Sequence, residues 1–182
     1  MELKNIDIEK LMDLAVSGNN EAFKEIYKNF FTPVYKYVFI RTKRDDLAKD
    51  ISQTVFLKSF ENIKKYKYQG KSPLAYFFTI AKNEIINDWR KNKNNQSIDN
   101  LEEKIRSEDI TEIKTENNLR IDKIKSVLEL LTEDQKELIS LKFISGLDNS
   151  EISKIMNKSE EAIRQLQFRS LKSIKEEIKK NE

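Results

Sequence analysis

The chain has 182 residues, of which only three are Gly and two are Pro. An all-β sandwich or barrel needs many turn residues, so this composition predicts a helical protein. The absence of Cys and His excludes disulfides, Cys/His zinc sites, cysteine nucleophiles and histidine acid–base catalysis. The acid-containing, amphipathic N-terminus is unlike a signal peptide, and no apolar run has the length of a membrane span. We therefore expect a cytoplasmic protein without membrane insertion.

Apolar residues recur at helical spacing along most of the chain. Four helices are predicted in the N-terminal half, at 7–16, 20–41, 46–64 and 74–91. Three or four are predicted near the C-terminus, at 119–131, 133–144, 149–156 and 159–179. Pro33 is expected to kink the second helix or to break it near Phe31 and Thr32. Residues 93–118 are rich in charge and poor in apolar side chains, which predicts a linker that is partly helical at most.

Charge is distributed unevenly, although the 34 basic residues nearly balance the 31 acidic ones. Residues 64–94 hold eight basic and two acidic residues, whereas residues 95–118 hold seven acidic and three basic residues. A basic block beside an acidic one indicates a polyanion-binding segment. A solvated, lysine-rich surface is the alternative.

The helix at 46–64 has a wider apolar surface than one small core requires. One stripe runs through Leu47, Ile51 and Val55, and a second runs through Phe56, Phe60 and Ile63. We therefore expect one side to contact a partner protein, with a polar rim of hydrogen-bonding side chains. The rim residues are Asp50, Gln53 and Thr54. A helix that is fully interior to the bundle is the alternative.

The helix at 74–91 has two faces and follows a basic, tyrosine-containing loop at 64–73. Its apolar stripe consists of Leu74, Phe77, Phe78, Ala81, Ile85 and Trp89. Its far side carries Tyr76, Thr79, Asn83, Asn87 and Arg90. Aromatic, amide and cationic groups hold bases that have left a duplex, so this surface suits single-stranded or melted nucleic acid. Alternatively, Tyr66 and Tyr68 pack on their own domain.

The C-terminal end predicts a helix-turn-helix. Asn157 and Lys158 form a turn of suitable length between two helices, and Ser159 can cap the second one. The outer face of that second helix carries side-chain types that read base edges in a major groove. These residues are Arg164, Gln165, Phe168, Arg169 and Lys172. An ordinary helical hairpin with a solvated outer face is the alternative.

Taken together, these stretches resemble sigma-70 family factors of the extracytoplasmic-function type, the bacterial RNA polymerase subunits that recognise promoters. The resemblance is carried, in order, by AFKEIYKNFFTPVYKYVFIRT (22–42), DLAKDISQTVFLKSFENI (46–63), the loop ending Gly70-Lys71-Ser72-Pro73, LAYFFTIAKNEIINDWRK (74–91) and the stretch 131–174. It implies an all-α protein of two small domains. These are a region 2 domain at 1–92, a flexible acidic linker at 93–118, and a region 4 helix-turn-helix domain at 119–182.

The resemblance also implies roles for individual residues. Asp50, Gln53, Thr54 and Phe56 are the expected polymerase-binding residues, with Thr54 standing where the family often has an acid. Those expected at the −10 element are Lys67, Tyr68, Lys71, Tyr76, Asn83, Asn87 and Arg90, and Asp88 also matches the family motif. Those expected at the −35 element are the outer-face residues Arg164, Gln165, Phe168, Arg169 and Lys172.

The function implied by the resemblance is that of an alternative sigma factor. Such a chain binds core RNA polymerase, directs it to specific promoters and helps to melt the −10 element, without catalysing a reaction itself and without a cofactor. Its expected partners are core RNA polymerase, promoter DNA and an anti-sigma factor. The alternatives are a stand-alone helix-turn-helix regulator and a helical adaptor without a nucleic-acid role.

Overall fold

The computed structural model describes residues 8–68, 72–95 and 130–180. All regular elements in these ranges are helical, which confirms the predicted fold class. The N-terminal domain contains α1 (Ile8–Val16), α2 (Asn20–Thr42), α3 (Asp45–Asn62) and α4 (Leu74–Asn95), with a single 3-10 turn at Ile63–Lys65. The C-terminal domain contains α5 (Glu133–Ile139), a π turn at Ser140–Ile144, α6 (Asn149–Met156) and α7 (Glu160–Lys180). None of the helices in the described ranges is long and apolar enough to cross a membrane.

Three features of the sequence prediction lie wholly or mostly outside these ranges: Lys71, most of the expected linker, and residues 119–129 of the helix expected at 119–131. The last two residues of that expected helix, Leu130 and Leu131, are not helical. The N-terminal end of that linker is helical, because α4 continues to Asn95.

Of the kink or break expected at Pro33, the break does not occur, since α2 runs without interruption from Asn20 to Thr42. Proline removes one intrahelical hydrogen bond, and the packing of neighbouring side chains in the core compensates for the lost stability. Phe30 and Val34, on either side of the proline, are both buried in the core. The helix starts at Asn19, whose side chain accepts a hydrogen bond from the Ala22 amide.

Aromatic side chains hold α2, α3 and α4 together. The Phe77 ring of α4 is 0% exposed and lies 5.4 Å from Phe30 and 5.2 Å from Phe56, centroid to centroid. The adjacent residue, Phe78, packs 5.0 Å from Tyr37, centroid to centroid. Burying each such ring stabilises the fold by about 1.5–3 kcal/mol, and these contacts fix the orientation of α4.

The C-terminal domain is built from capped helices. Thr132 and Asp148 each form a capping box, with Gln135 and Glu151 respectively. Asn157 adopts a left-handed conformation (φ 52°) at the end of α6, and the Lys158 amide donates to the Ser153 carbonyl at 3.0 Å. α7 then begins after Ser159, so the predicted helix-turn-helix is present.

The two domains pack against each other. α5 and the π turn contact α2, and α6 contacts α4. Leu138, Leu141 and Ile155 of the C-terminal domain belong to the same buried apolar cluster as the aromatic core of the N-terminal domain. The described ranges therefore share one continuous core.

Candidate nucleic-acid and protein interfaces

The outer surface of α3 combines polar and apolar side chains. Asp50 and Gln53 are exposed, as predicted for a polar rim. Thr54 is half-buried, and its hydroxyl donates to the Asp50 carbonyl at 2.9 Å. Leu57, one turn further on, is 59% exposed, and Phe60 is also exposed. An apolar patch with a polar border is typical of a protein–protein interface.

Phe56 does not lie on this surface. Its side chain is 3% exposed and packs 4.9 Å from Tyr27 and 5.2 Å from Phe77, centroid to centroid. The structure thus assigns Phe56 to the core and contradicts its expected role as a direct partner contact. Leu57 is the surface residue that the sequence reasoning missed. Its position three residues after Thr54 and four after Gln53 placed it on the same helical face, which was the signal available.

The polar face of α4 is open to solvent at four of its five predicted positions. Thr79, Asn83, Asn87 and Arg90 are exposed, while Tyr76 is half-buried. Most of the predicted apolar stripe is buried beneath them, with Trp89 as the exception. The Trp89 ring is 39% exposed, and the Arg41 guanidinium lies 5.2 Å from its centre.

Two tyrosines of the loop before α4 differ in their surroundings. Tyr66 is half-buried and packs edge-on against Tyr76, 5.2 Å between ring centres. Burial raises the pKa of the Tyr66 phenol to about 12. Tyr68 is more exposed, and its hydroxyl donates to the Glu9 carboxylate. Tyr66 therefore packs on its own domain, whereas Lys67 and the Tyr68 ring remain accessible.

A cavity of about 380 Å³ opens between this loop, α4 and α6. The N-terminal domain contributes Lys65, Tyr66, Lys67, Ser72, Ala75, Tyr76 and Thr79, and α6 contributes Glu151, Lys154 and Ile155. Its walls combine aromatic rings with cations, a combination that suits a nucleobase and its phosphate. No group of acidic side chains in the described ranges is arranged to hold a metal ion.

The outer face of α7 is exposed throughout. All five predicted −35 residues are exposed, and Phe168 reaches 71%. The Arg164 guanidinium pairs with Glu161 at 3.0 Å, and the Gln165 amide donates to the same carboxylate at 3.5 Å. These hydrogen bonds lower the pKa of Glu161. On the opposite side Ile163 and Ser170 are buried, so the helix presents one face to its domain and another to solvent.

Comparison with known proteins places this geometry in a family. The model of sigma-70 region 2 matches residues 26–95, and the model of sigma-70 region 4 matches residues 127–176. The chain therefore belongs to the sigma-70 family of RNA polymerase sigma factors. Its curated relatives place it among the sigma factors of the extracytoplasmic-function type.

Two of these relatives are the ECF RNA polymerase sigma factors BldN of Streptomyces coelicolor and SigM of Bacillus subtilis. The match to BldN is 26% identical over 91% of this chain and 63% of BldN. The match to SigM is 28% identical over 83% of this chain and 91% of SigM. The chain thus spans less than two thirds of the length of BldN and nearly all of SigM.

Solved structures share the helical fold. CnrH, in complex with the cytosolic domain of CnrY, has a TM-score of 0.70 and 16% identity, covering 94% of this chain and 97% of CnrH. RpoE of Bartonella quintana, in complex with the anti-sigma factor NepR, has a TM-score of 0.71 and 21% identity, covering 86% of this chain and 96% of RpoE.

Proposed function

We propose that this protein binds core RNA polymerase through the outer surface of α3, reads the −35 element with α7, and holds an unpaired base of the −10 element beside α4. The polymerase then starts transcription at the promoters that carry both elements. In this scheme residues 1–92 form the region 2 domain, 93–118 the linker and 119–182 the region 4 domain.

The polymerase contact is supported most directly by Leu57. A leucine that is 59% exposed in the middle of a structured helix contributes little to the core, and it is flanked by Asp50 and Gln53. Burial of the leucine against a partner would supply apolar contact, while the two polar side chains hydrogen-bond at the rim. The stand-alone regulator does not require this surface.

The −10 contact is supported by the arrangement of the loop and α4. Lys67 is placed to neutralise phosphate, and the Tyr68 ring offers a stacking surface. Asn83, Asn87 and Arg90 offer hydrogen bonds to the edges of a base that has left the duplex. Holding such a base opposes re-pairing and so stabilises the melted state.

The −35 contact is supported by the position of α7 as the second helix of the helix-turn-helix. An arginine bonds guanine O6 and N7, and a glutamine bonds adenine N6 and N7, both in the major groove. Arg169 and Gln165 provide these groups, and Phe168 can contact a thymine methyl group. Lys172 extends the face towards the phosphates.

Three finer features belong to the same proposal. The chain catalyses no reaction itself, since the polymerase performs the chemistry. It acts in the cytoplasm, where bacterial polymerase works. It is held inactive by an anti-sigma factor, a proposal supported by the solved relatives that were captured in such complexes.

The deciding experiment compares two double variants in binding to purified core polymerase by size-exclusion chromatography. Asp50→Ala with Gln53→Ala should weaken binding strongly while leaving helical circular dichroism and melting temperature nearly unchanged. The control is Glu21→Ala with Lys24→Ala, an exposed ion pair at the start of α2 that lies outside the proposed interface.

Equal loss of folding and binding in the first variant would favour a helix interior to the bundle. Full binding would favour the stand-alone regulator.

A further inference from the structure

The N-terminal helix α1 bonds to the loop that precedes α4. Glu9 lies in the first turn of α1, and its carboxylate accepts a hydrogen bond from the Tyr68 hydroxyl, 59 positions further along the chain. Tyr68 is one of the residues expected at the −10 element. The proposed −10 site is therefore bonded to a helix that carries none of its expected residues.

The position of α1 is fixed by its apolar face, which is anchored in the core of the N-terminal domain. Met12 and Ala15 are buried, and Ile8 and Leu11 pack against the same apolar cluster. The helix also contacts α2 and the 3-10 turn at Ile63–Lys65, from which the loop continues. A carboxylate on such a helix has a defined place, so it can orient a side chain that it binds.

The loop holds its two tyrosines in different ways. The Tyr66 ring packs edge-on against Tyr76, and the Tyr66 amide donates to the Ile63 carbonyl at 2.9 Å. The Tyr68 ring is 46% exposed, and its bond to Glu9 is made at the tip of the ring, through the hydroxyl. A hydrogen bond at the tip restricts the direction of the ring and leaves much of its surface accessible.

The charges on α1 act on both tyrosines. The hydrogen bond to Glu9 is the main cause that raises the pKa of Tyr68 above its ordinary value. Burial, followed by the charges of Tyr68, Glu9 and Asp13, raises the pKa of Tyr66 to about 12. The Tyr68 phenol therefore keeps its proton at neutral pH and can donate it to Glu9.

An acid at this place is unfavourable for a nucleic-acid site on grounds of charge alone. A carboxylate close to phosphate repels it and weakens binding. Lys67, next to Tyr68 in the loop, is exposed and carries the opposite charge. Charge alone would favour a neutral residue at position 9, whereas the orientation of Tyr68 requires a hydrogen-bond acceptor there.

The place of Glu9 at the start of α1 offers a different explanation. An acid in the first turn stabilises a helix by interacting with its dipole. That effect requires the negative charge but no bond to Tyr68. The two explanations differ in the expected result of Glu9→Gln, since glutamine loses the charge and keeps an acceptor oxygen.

We infer that Glu9 is a positioning residue for −10 recognition, and that its carboxylate holds the Tyr68 hydroxyl so that the ring is oriented to stack on an unpaired base. A ring whose rotation is already restricted loses less conformational entropy when a base stacks on it. The inference rests on the proposed role of Tyr68 at the −10 element. The bond itself does not, and it can be measured without DNA.

The bond is measured in the free protein by NMR titration of tyrosines labelled with ¹³C at Cζ. The Tyr68 signal is assigned from its loss in Tyr68→Phe. Glu9→Ala should lower the Tyr68 pKa towards its ordinary value, because both the acceptor and its charge are removed. An unchanged Tyr68 pKa in Glu9→Ala would overturn the inference.

The matched control for this titration is Asp13→Ala. It removes an equal charge from an exposed position one turn further along α1. The bond to Tyr68 is made by Glu9, so Asp13→Ala should leave the Tyr68 pKa nearly unchanged. Equal shifts in the two variants would show that Tyr68 senses only the charge of α1, and they would overturn the inference.

Recognition is measured on the holoenzyme formed from core polymerase and the full chain. The probe is single-stranded DNA selected on the unsubstituted holoenzyme from a pool of random sequence, and its shuffled version is the reference. Glu9→Ala should reduce the preference for the selected strand by about two- to tenfold, the range expected when one more side chain must be immobilised on binding. Tyr68→Phe should do the same, and the double variant should be no worse than either single one.

Glu9→Gln decides between positioning and the helix dipole. It should retain most of the preference that Glu9→Ala loses, because the amide oxygen still accepts from Tyr68. Asp13→Ala should also retain the preference. Equal losses in Glu9→Gln and Glu9→Ala would favour the dipole and overturn the positioning role. Tighter binding of both strands by Glu9→Ala, with the preference unchanged, would show that Glu9 only repels phosphate.

Tyr68→Ala separates failure of this inference from failure of the proposed function. It removes the whole ring and should abolish most of the preference. Loss of preference in Tyr68→Ala with none in Glu9→Ala would overturn the positioning role alone. No loss in Tyr68→Ala, or no strand enriched by the unsubstituted holoenzyme, would overturn the proposed −10 contact and the positioning role with it.

Discussion

The polar faces of α4 and α7 belong to helices of similar length, 22 and 21 residues, but they are built differently. Beside the face of α4 lie two partly buried tyrosines and a cavity of about 380 Å³. The five polar and aromatic residues on the outer face of α7 are all exposed, and its aromatic residue, Phe168, projects into solvent. One helix thus borders a concave aromatic site, and the other presents an exposed row of hydrogen-bond donors.

This difference in shape corresponds to two states of DNA. A base that has left the stack needs a recess, ring surfaces and hydrogen bonds to its freed edge. A paired base offers only its groove edge, which a protruding helix can reach. The comparison indicates that the same amphipathic pattern serves two modes of recognition, according to what the neighbouring elements add.

The largest expected effect comes from removing the support beneath the α4 face. Phe77→Ala deletes a fully buried ring between Phe30 and Phe56, and the resulting cavity should lower the free energy of unfolding by about 3–5 kcal/mol. Urea unfolding followed by circular dichroism measures this. Phe168→Ala, a matched deletion on the α7 face, should change the free energy of unfolding by less than about 0.5 kcal/mol. Similar losses in both variants would mean that the α7 face is not a free surface.

Local patterns predicted the helices and much of their orientation, because both depend on neighbours within a turn or two. The capping boxes at Thr132 and Asp148, the exposed Phe168 and the buried Phe77 all follow from such spacing. The break that was one of two expectations at Pro33 does not occur, because helix propensity is a local preference and burial of the residues beside the proline outweighs the lost hydrogen bond.

Tertiary contacts determined what the local patterns could not. Both apolar stripes of α3 contribute to the core, Val55 from the first and Phe56 from the second, whereas Leu57, which belongs to neither, is exposed. Trp89 remains partly exposed, and its ring contacts the Arg41 guanidinium of another helix. Glu137 looks like an ordinary surface acid in the sequence, since its partners Arg41 and Lys82 are far away along the chain.

A smaller effect should separate the two modes of recognition. Arg169→Ala on the α7 face should cost about 1–3 kcal/mol at specific −35 base pairs and relax the preference there only. Asn83→Ala on the α4 face should leave −35 duplex binding intact and reduce open-complex formation. Binding to a set of −35 duplexes and permanganate footprinting of the −10 region measure the two outcomes.

A pre-melted promoter sharpens this test. A template mismatched across the −10 region removes the cost of unpairing, so it should restore much of the activity of Asn83→Ala. It should restore none of the base discrimination lost in Arg169→Ala. Equal rescue of both variants, or a change in the same base preference, would contradict the assignment of separate roles to the two faces.

The smallest expected effect concerns Glu161, an acidic residue on the outer face of α7. Its carboxylate forms an ion pair with the Arg164 guanidinium at 3.0 Å. Glu161→Gln should remove the shorter ion pair of the guanidinium, leaving the contact to Glu160 at 3.8 Å, and it removes a charge that repels phosphate. Affinity for a −35 duplex should therefore rise by no more than about fivefold, as expected for an exposed ion pair. The gain should disappear at high salt, because exposed charges are screened. Glu25→Gln, which removes an equal charge and an ion pair to Lys28 on α2, is the control. An equal gain in both variants would show that net charge, and not the release of Arg164, governs binding.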